Sequence, residues 1–183
     1  MKADTALLVI DVQESFRHRP YFVADEMPAF FDRINRLIAG FAGSGAPLVR
    51  VLHVEPEGAF SHASGFVAPM HEVVYEAAAT FEKNVHSALV GTGLHGWLTR
   101  QGIRRLAVAG IRTEQCCETT TRHASDLGFE VDYVTEATLT FPMTTARGRR
   151  FSAADLRERT ELVLAERFAT IATVDEALAR ISS

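Results

Sequence analysis

The feature that most constrains this chain is a series of short, uninterrupted apolar runs alternating with segments of helical periodicity. ALLVIDV at 6–12 is apolar at every position up to its acid, the pattern of a strand covered on both faces. LVRVLHV (48–54), LAVAG (106–110), EVDYVT (130–135) and ATIAT (169–173) read as further strands, and a short one is expected near Ala78–Glu82. Between the first two, Phe30, Phe31, Ile34, Leu37, Ile38 and Phe41 recur at spacings of three and four, one helical stripe with Pro28 in its first turn and Gly45 after its end. Helices are also expected over Leu94–Gln101, stopped by Gly102, and over Cys116–Leu127, stopped by Gly128. Ser152 with Asp155, and Thr173 with Glu176, form capping boxes that open two more. The alternation predicts one α/β domain over residues 1–183: a doubly wound, Rossmann-like sandwich with a six-stranded, mainly parallel sheet and right-handed crossovers. Two irregular stretches, 55–71 and 138–151, interrupt it; long loops in compact domains are often functional.

Composition narrows the function. Lys and Arg number 19 against 23 Asp and Glu, a formal charge of −4, which makes a poor phosphate-backbone binder and argues against a nucleic-acid partner. No apolar run approaches the length of a membrane span, and the amino-terminal Met-Lys-Ala-Asp has no apolar signal core, so a cytoplasmic location is the expectation. The two cysteines, Cys116 and Cys117, are adjacent and offer no ordinary long-loop disulfide.

In a sheet of this kind ligands gather beyond the carboxyl ends of the strands, where the strand order reverses. Three residues stand at such ends. Asp11 closes the first apolar run, and a carboxylate there is costly to desolvate without a partner, although a turn cap is an alternative reading. Lys83 follows the third strand; alone it reads as a solvated surface residue. Cys116 follows the fourth strand where a helix begins, and a helix amino terminus favours a thiolate. Its neighbour Cys117 falls on a small-residue stripe with Thr121, Ala124 and Gly128, which suits packing on the sheet, so Cys117 is assigned to the core and Cys116 to the site. A thiol nucleophile needs a base for its proton and a cation for its charge, and an acid, a lysine and a cysteine can supply that set.

At these residues the chain resembles the isochorismatase-like superfamily of cysteine hydrolases. LLVIDVQESF (7–16) is similar to the family's strand followed by D-x-Q-x-x-F, the Lys83 segment continues into Ser87-Ala88-Leu89, and GIRTEQCCETTTRHASDLGFEV (110–131) is similar to its G-x-x-T-x-x-C nucleophile turn and helix. ATIATVDEAL (169–178) completes the match. The resemblance implies a sheet of order 3-2-1-4-5-6, with Cys116 as nucleophile, Asp11 as general base and Lys83 as the cationic member. It also implies a cis peptide between Ile111 and Arg112 that turns the N–H groups of Arg112 and Cys116 toward a substrate carbonyl. The resemblance implies a homodimer or homotetramer; a small-molecule substrate and no cofactor are the expectation for this chain.

Two departures are visible. Arg112 and Glu114 replace the residues usual in the turn; Arg112 could meet a substrate carboxylate, point to solvent or pair with Glu114. His53-Val54-Glu55-Pro56 lacks the closely spaced Asp-x-His of metal-binding nicotinamidases, and His53, His62 and His71 are too scattered to name as ligands, so no metal is expected. Gln13, Phe16, Phe60, Arg112 and Phe141 are candidate substrate contacts, with core packing the alternative for each phenylalanine. The activity expected is hydrolysis of a C–N bond in a small amide, ureido or carbamoyl substrate through a thioester. The alternatives are vinyl ether hydrolysis of the isochorismate type and a non-catalytic thiol sensor or binding subunit on the same fold.

Overall fold

The computed structural model describes residues 4–181; Met1 to Ala3, which entered the reading of the amino terminus, lie outside them. Among the described residues eight strands form, β1 (Thr5–Ile10), β2 (Leu48–His53), β3 (Ala79–Lys83), β4 (Arg105–Ile111), β5 (Glu130–Leu139), β6 (Met143–Thr144), β7 (Arg150–Phe151) and β8 (Thr170–Ile171). The α-helices are α1 (Met27–Ser44), α2 (Leu94–Gln101), α3 (Glu118–Asp126), α4 (Ala153–Leu164) and α5 (Val174–Ile181). Six strands make a parallel sheet in the order β3-β2-β1-β4-β5-β8, the expected order once β8 is counted as its sixth strand. The remaining two, β6 and β7, pair as a small antiparallel ribbon inside the stretch read as irregular.

Side-chain alternation along β1 divides the core. Leu7 and Val9 face α1 and α5, packing with Phe30, Ile34, Leu37, Phe41, Val174 and Ala177. Ala6, Leu8 and Ile10 face the opposite layer, with Leu94 and Leu98 of α2, Ala124 of α3 and Leu164 of α4. Every residue of β1 is buried, as a strand covered on both faces must be. Both predicted capping boxes form: Asp155 N–H donates to Ser152 Oγ and Ser152 N–H to the Asp155 carboxylate, and Thr173 and Glu176 exchange the same pair of bonds.

Two expectations need correction. β5 runs to Leu139 rather than ending at Thr135, because the ladder shifts: Val108 pairs with Tyr133, but Gly110 pairs with Thr138. The extra residues bulge out and carry the strand on toward the site. The helix expected from Cys116 begins one turn earlier in another form, since Thr113–Cys117 is a π-helical turn leading into α3.

Gly110 is required by contact. A Cβ there would lie 2.0 Å from the carbonyl oxygen of Ile10, and φ is +128°. No side chain fits between β1 and β4 where their ends meet, and the two strands bring Asp11 and the 113–117 turn together. Among the described residues no helix is long and apolar enough to cross a membrane.

Candidate active site

The strand order reverses between β1 and β4, and the three sequence candidates converge there. Asp11 leaves β1 with φ +51°, a left-handed conformation that aspartate adopts more readily than most residues. Its N–H donates to the carbonyl of Val51 at 2.9 Å, which anchors the turn to β2. Lys83 is the last residue of β3 and Cys116 lies in the π-helical turn. The peptide between Ile111 and Arg112 is cis, as the resemblance implied.

Lys83 Nζ stands 2.7 Å from Asp11 Oδ2, donates to Cys116 Sγ at 3.3 Å, and lies 3.0 Å from Nδ1 of His53. An ammonium can only donate, so His53 Nδ1 must be the accepting nitrogen. The Asp11 and Lys83 side chains are both 0% exposed, so their charges compensate each other away from water. No hydrogen bond of good geometry reaches either Asp11 oxygen; the lysine charge and the adjacent Cys116 thiol are its polar surroundings.

Burial raises the Asp11 carboxyl above its ordinary range, with Lys83 opposing it. Burial alone would lower the lysine, but attraction to Asp11 and Cys116 leaves it raised. Cys116 corrects an expectation. Burial first, and then the Asp11 charge, push its thiol up to about 12, and Lys83 only partly offsets them. The thiol is sealed beside a carboxylate rather than presented at an open helix terminus, so it rests protonated at neutral pH. Cys117 packs wholly in the core, where burial holds its thiol well above the ordinary range, in keeping with its assignment.

The other candidates divide. Phe16, Phe60 and Phe141 are buried together, Phe16 and Phe60 edge to face with centroids 5.0 Å apart, and Phe60 meets the His53 ring at 5.6 Å. They form one aromatic wall continuous with the main core. Gln13 is buried, with its amide committed: Nε2 donates to the His53 carbonyl and to Ser15 Oγ, and Oε1 accepts from His53 N–H at 2.7 Å. It ties the end of β1 to the end of β2 and has no open face for a substrate. Arg112 is likewise engaged, paired with Glu114 at 3.1 Å, bonded to the Phe141 carbonyl and stacked over the Tyr21 and Phe141 rings. Of the readings open to it, pairing with Glu114 is the one formed.

Sequence reasoning missed two histidines. His53 accepts from Lys83, and burial followed by the lysine charge lowers its pKa, so it stays neutral. His86, on the loop after β3, places Nδ1 3.7 Å from Cys116 Sγ, and its ring stacks parallel to that of His53 at 6.4 Å. Three Glu and His side chains, Glu14, His71 and Glu72, cluster elsewhere with metal-ligand spacing, but Arg17 bridges both glutamates.

A sealed acid–lysine pair lies beside a thiol at the switch point of the doubly wound sheet, where folds of this kind hold their ligands. The model of the isochorismatase domain matches residues 5–176, and the chain belongs to the isochorismatase family of hydrolases. It is 28% identical over 184 residues to the uncharacterized isochorismatase family protein YrdC of Bacillus subtilis, covering 96% of this chain and 95% of that one. A solved isochorismatase-family structure from Chromobacterium violaceum superposes with a TM-score of 0.89 at 27% identity, covering 100% and 96% of the two chains. A shorter match, 45% identical over 60 residues, joins 33% of this chain to 30% of Nicotinamidase 3 of Arabidopsis thaliana.

Proposed function

We propose that the protein is a cysteine hydrolase that cleaves a C–N bond of a small amide, ureido or carbamoyl substrate through a thioester on Cys116. The observation that carries this reading is Lys83 Nζ set between Asp11 Oδ2 at 2.7 Å and Cys116 Sγ at 3.3 Å, with both charged side chains shut off from water. The local match to a nicotinamidase supports an amide as the kind of bond attacked.

The protonation states at rest define the first step. The thiol is neutral, and Asp11 is ionised against Lys83. As Sγ attacks the carbonyl carbon, its proton passes to Asp11, the negative charge moves to the substrate oxygen, and the lysine stays in contact with sulfur. The raised pKa of Asp11 makes the carboxylate a better base for this proton than an exposed aspartate. The N–H groups of Arg112 and Cys116 receive the oxyanion. When the tetrahedral species collapses, the C–N bond breaks and the amine leaves with the Asp11 proton. Water then attacks the thioester, gives a proton back to Asp11, and the sulfur departs and is reprotonated.

Vinyl ether hydrolysis needs a proton donor to carbon and no thiol, so the lysine–sulfur contact favours the thioester route. Intact-mass spectrometry on a panel of small amides, carbamoyl acids and aldehydes tests it. The expected result is an acyl or hemithioacetal adduct that maps to Cys116. A panel that leaves the mass unchanged while peroxide oxidises Cys116 would replace this reading with a thiol sensor.

A further inference from the structure

The Cys116 sulfur has two nitrogen neighbours on different sides. Lys83 reaches it from the sealed floor at 3.3 Å, while His86 approaches from an exposed loop with Nδ1 at 3.7 Å. The loop is docked firmly for an exposed segment. Ala88 N–H donates to Thr120 Oγ1 at 3.0 Å, and Ser87 Oγ lies 2.9 Å from His123 Nδ1, so the residues just after His86 are tied to α3, the helix that follows the sulfur in the chain. The position of His86 over the thiol is therefore set by the same element that positions Cys116.

We infer that His86 is a second proton acceptor for Cys116, working from the solvent side while Asp11 works from the sealed side. The inference rests on Cys116 being the nucleophile and adds a route for its proton. In the step proposed, the Sγ proton moves to Nδ1 of His86, giving a thiolate held by Lys83 and an imidazolium in contact with water. The thiolate then attacks an electrophile, and the imidazolium releases its proton to solvent. Delivering the proton to Asp11 neutralises the partner of a sealed lysine; delivering it to His86 leaves the Asp11–Lys83 pair intact and puts the new charge where water can solvate it. The charged and titratable groups that bear on the ring are Cys116 in the π-helical turn, His53 at the end of β2, Lys83 and Asp11 behind them, and His123 of α3 through Ser87. Of these, Cys116 is the one at contact distance from the His86 ring.

The test uses iodoacetamide, so it requires no substrate. The alkylation rate of Cys116 is followed by intact mass and peptide mapping from pH 5.5 to 9 in wild type, His86→Ala and Asp11→Asn. The expected result is that His86→Ala slows alkylation at neutral pH by roughly tenfold or more and that added imidazole restores much of the lost rate, while Asp11→Asn retains a His86-dependent rate. Rescue by a free base separates proton transfer from a structural effect, because imidazole can replace a base at an exposed site and cannot re-dock a loop. A His86→Ala profile that superimposes on wild type, or a slowed one that imidazole leaves unchanged, overturns the inference. If the reagent modifies Cys117 before Cys116 in wild type, the nucleophile assignment itself fails, a distinct outcome.

Discussion

Two ion pairs of nearly equal length sit at opposite ends of the sheet. At the carboxyl end, Asp11 and Lys83 are 2.7 Å apart and both 0% exposed. At the amino end, Arg105 of β4 and Glu130 of β5 are 2.6 Å apart, at 34% and 73% exposure. Distance does not distinguish them; solvent does. The amino-end pair joins charges that water would otherwise hold comfortably, while the carboxyl-end pair keeps two charges in a place where either alone would be destabilising by several kcal/mol. An apolar pair of similar volume would serve stability there as well or better. Under the proposed function the sealed pair touching the thiol has its use in chemistry, whereas the amino-end pair lies largely in solvent.

The largest expected effect is on turnover. Cys116→Ser keeps the shape but exchanges the thiol for a hydroxyl of much higher pKa, for which Asp11 is a weak base. A loss of roughly a thousandfold or more in kcat is expected on any amide the protein turns over. Asp11→Asn removes the proton acceptor and should be severely impaired as well. An Asp11→Asn protein without activity beside a nearly active Cys116→Ser protein would move the chemistry to the vinyl ether class.

Lys83→Met sharpens the contrast through stability. It leaves a buried carboxylate without its cation, which should cost about 3 to 5 kcal/mol in denaturant unfolding at neutral pH. Asp11→Asn/Lys83→Met should cost clearly less than the sum of the two single changes, because no orphan charge remains. Additive costs would mean that the two side chains are not paired in solution.

The alkaline limb follows from the thiol. With the Cys116 pKa pushed up to about 12, the folded chain keeps a proton that the unfolded chain releases above about pH 9. The stability linked to it is fully present below that pH and is lost as pH rises toward 12, at no more than about 1.4 kcal/mol per unit. Lys83 and Cys117, both raised, add losses of the same sign in the alkaline range. Cys116→Ser should flatten the fall between pH 9 and 10.5, where Lys83 contributes least; an unchanged slope would mean that the thiol ionises freely in the folded protein.

What could be read from the sequence follows the same division. The core sheet is visible because strands covered on both faces leave continuous apolar runs, and Asp11 stands out as an acid closing one of them. Cys117 is separable from Cys116 because a helix face has a fixed period. The bulge in β5 is hidden, since Val134 to Ala137 carry no glycine or proline to mark it. The roles of His53 and His86 are hidden because each contact spans 30 residues of sequence and exists only once β2, β3 and the π-helical turn meet. Arg112 offered several roles that its own chemistry could not separate; the carbonyl of Phe141 and the Tyr21 ring, both distant in sequence, fix it beside Glu114. The thiol pKa failed for a related reason: a helix terminus is legible in sequence, whereas the burial that outweighs it is not.

The smallest expected effect is at the amino end. Glu130→Gln removes one charge from the exposed pair but keeps a side chain that can still accept a hydrogen bond from Arg105, and solvent can take over the guanidinium. The cost should be less than about 1 kcal/mol, and it should shrink further in high salt, because exposed charges are screened over about 10 Å at moderate ionic strength. The alkylation rate of Cys116 should not change, since the substitution lies at the far end of β5. Salt should leave the cost of Lys83→Met nearly unaltered, because no counter-ion reaches a pair that water does not reach. Urea unfolding of both variants at low and high salt measures the two together. A Glu130→Gln cost as large and as salt-independent as that of Lys83→Met would show that exposure does not separate the two pairs, and the contrast between the ends of the sheet would fail.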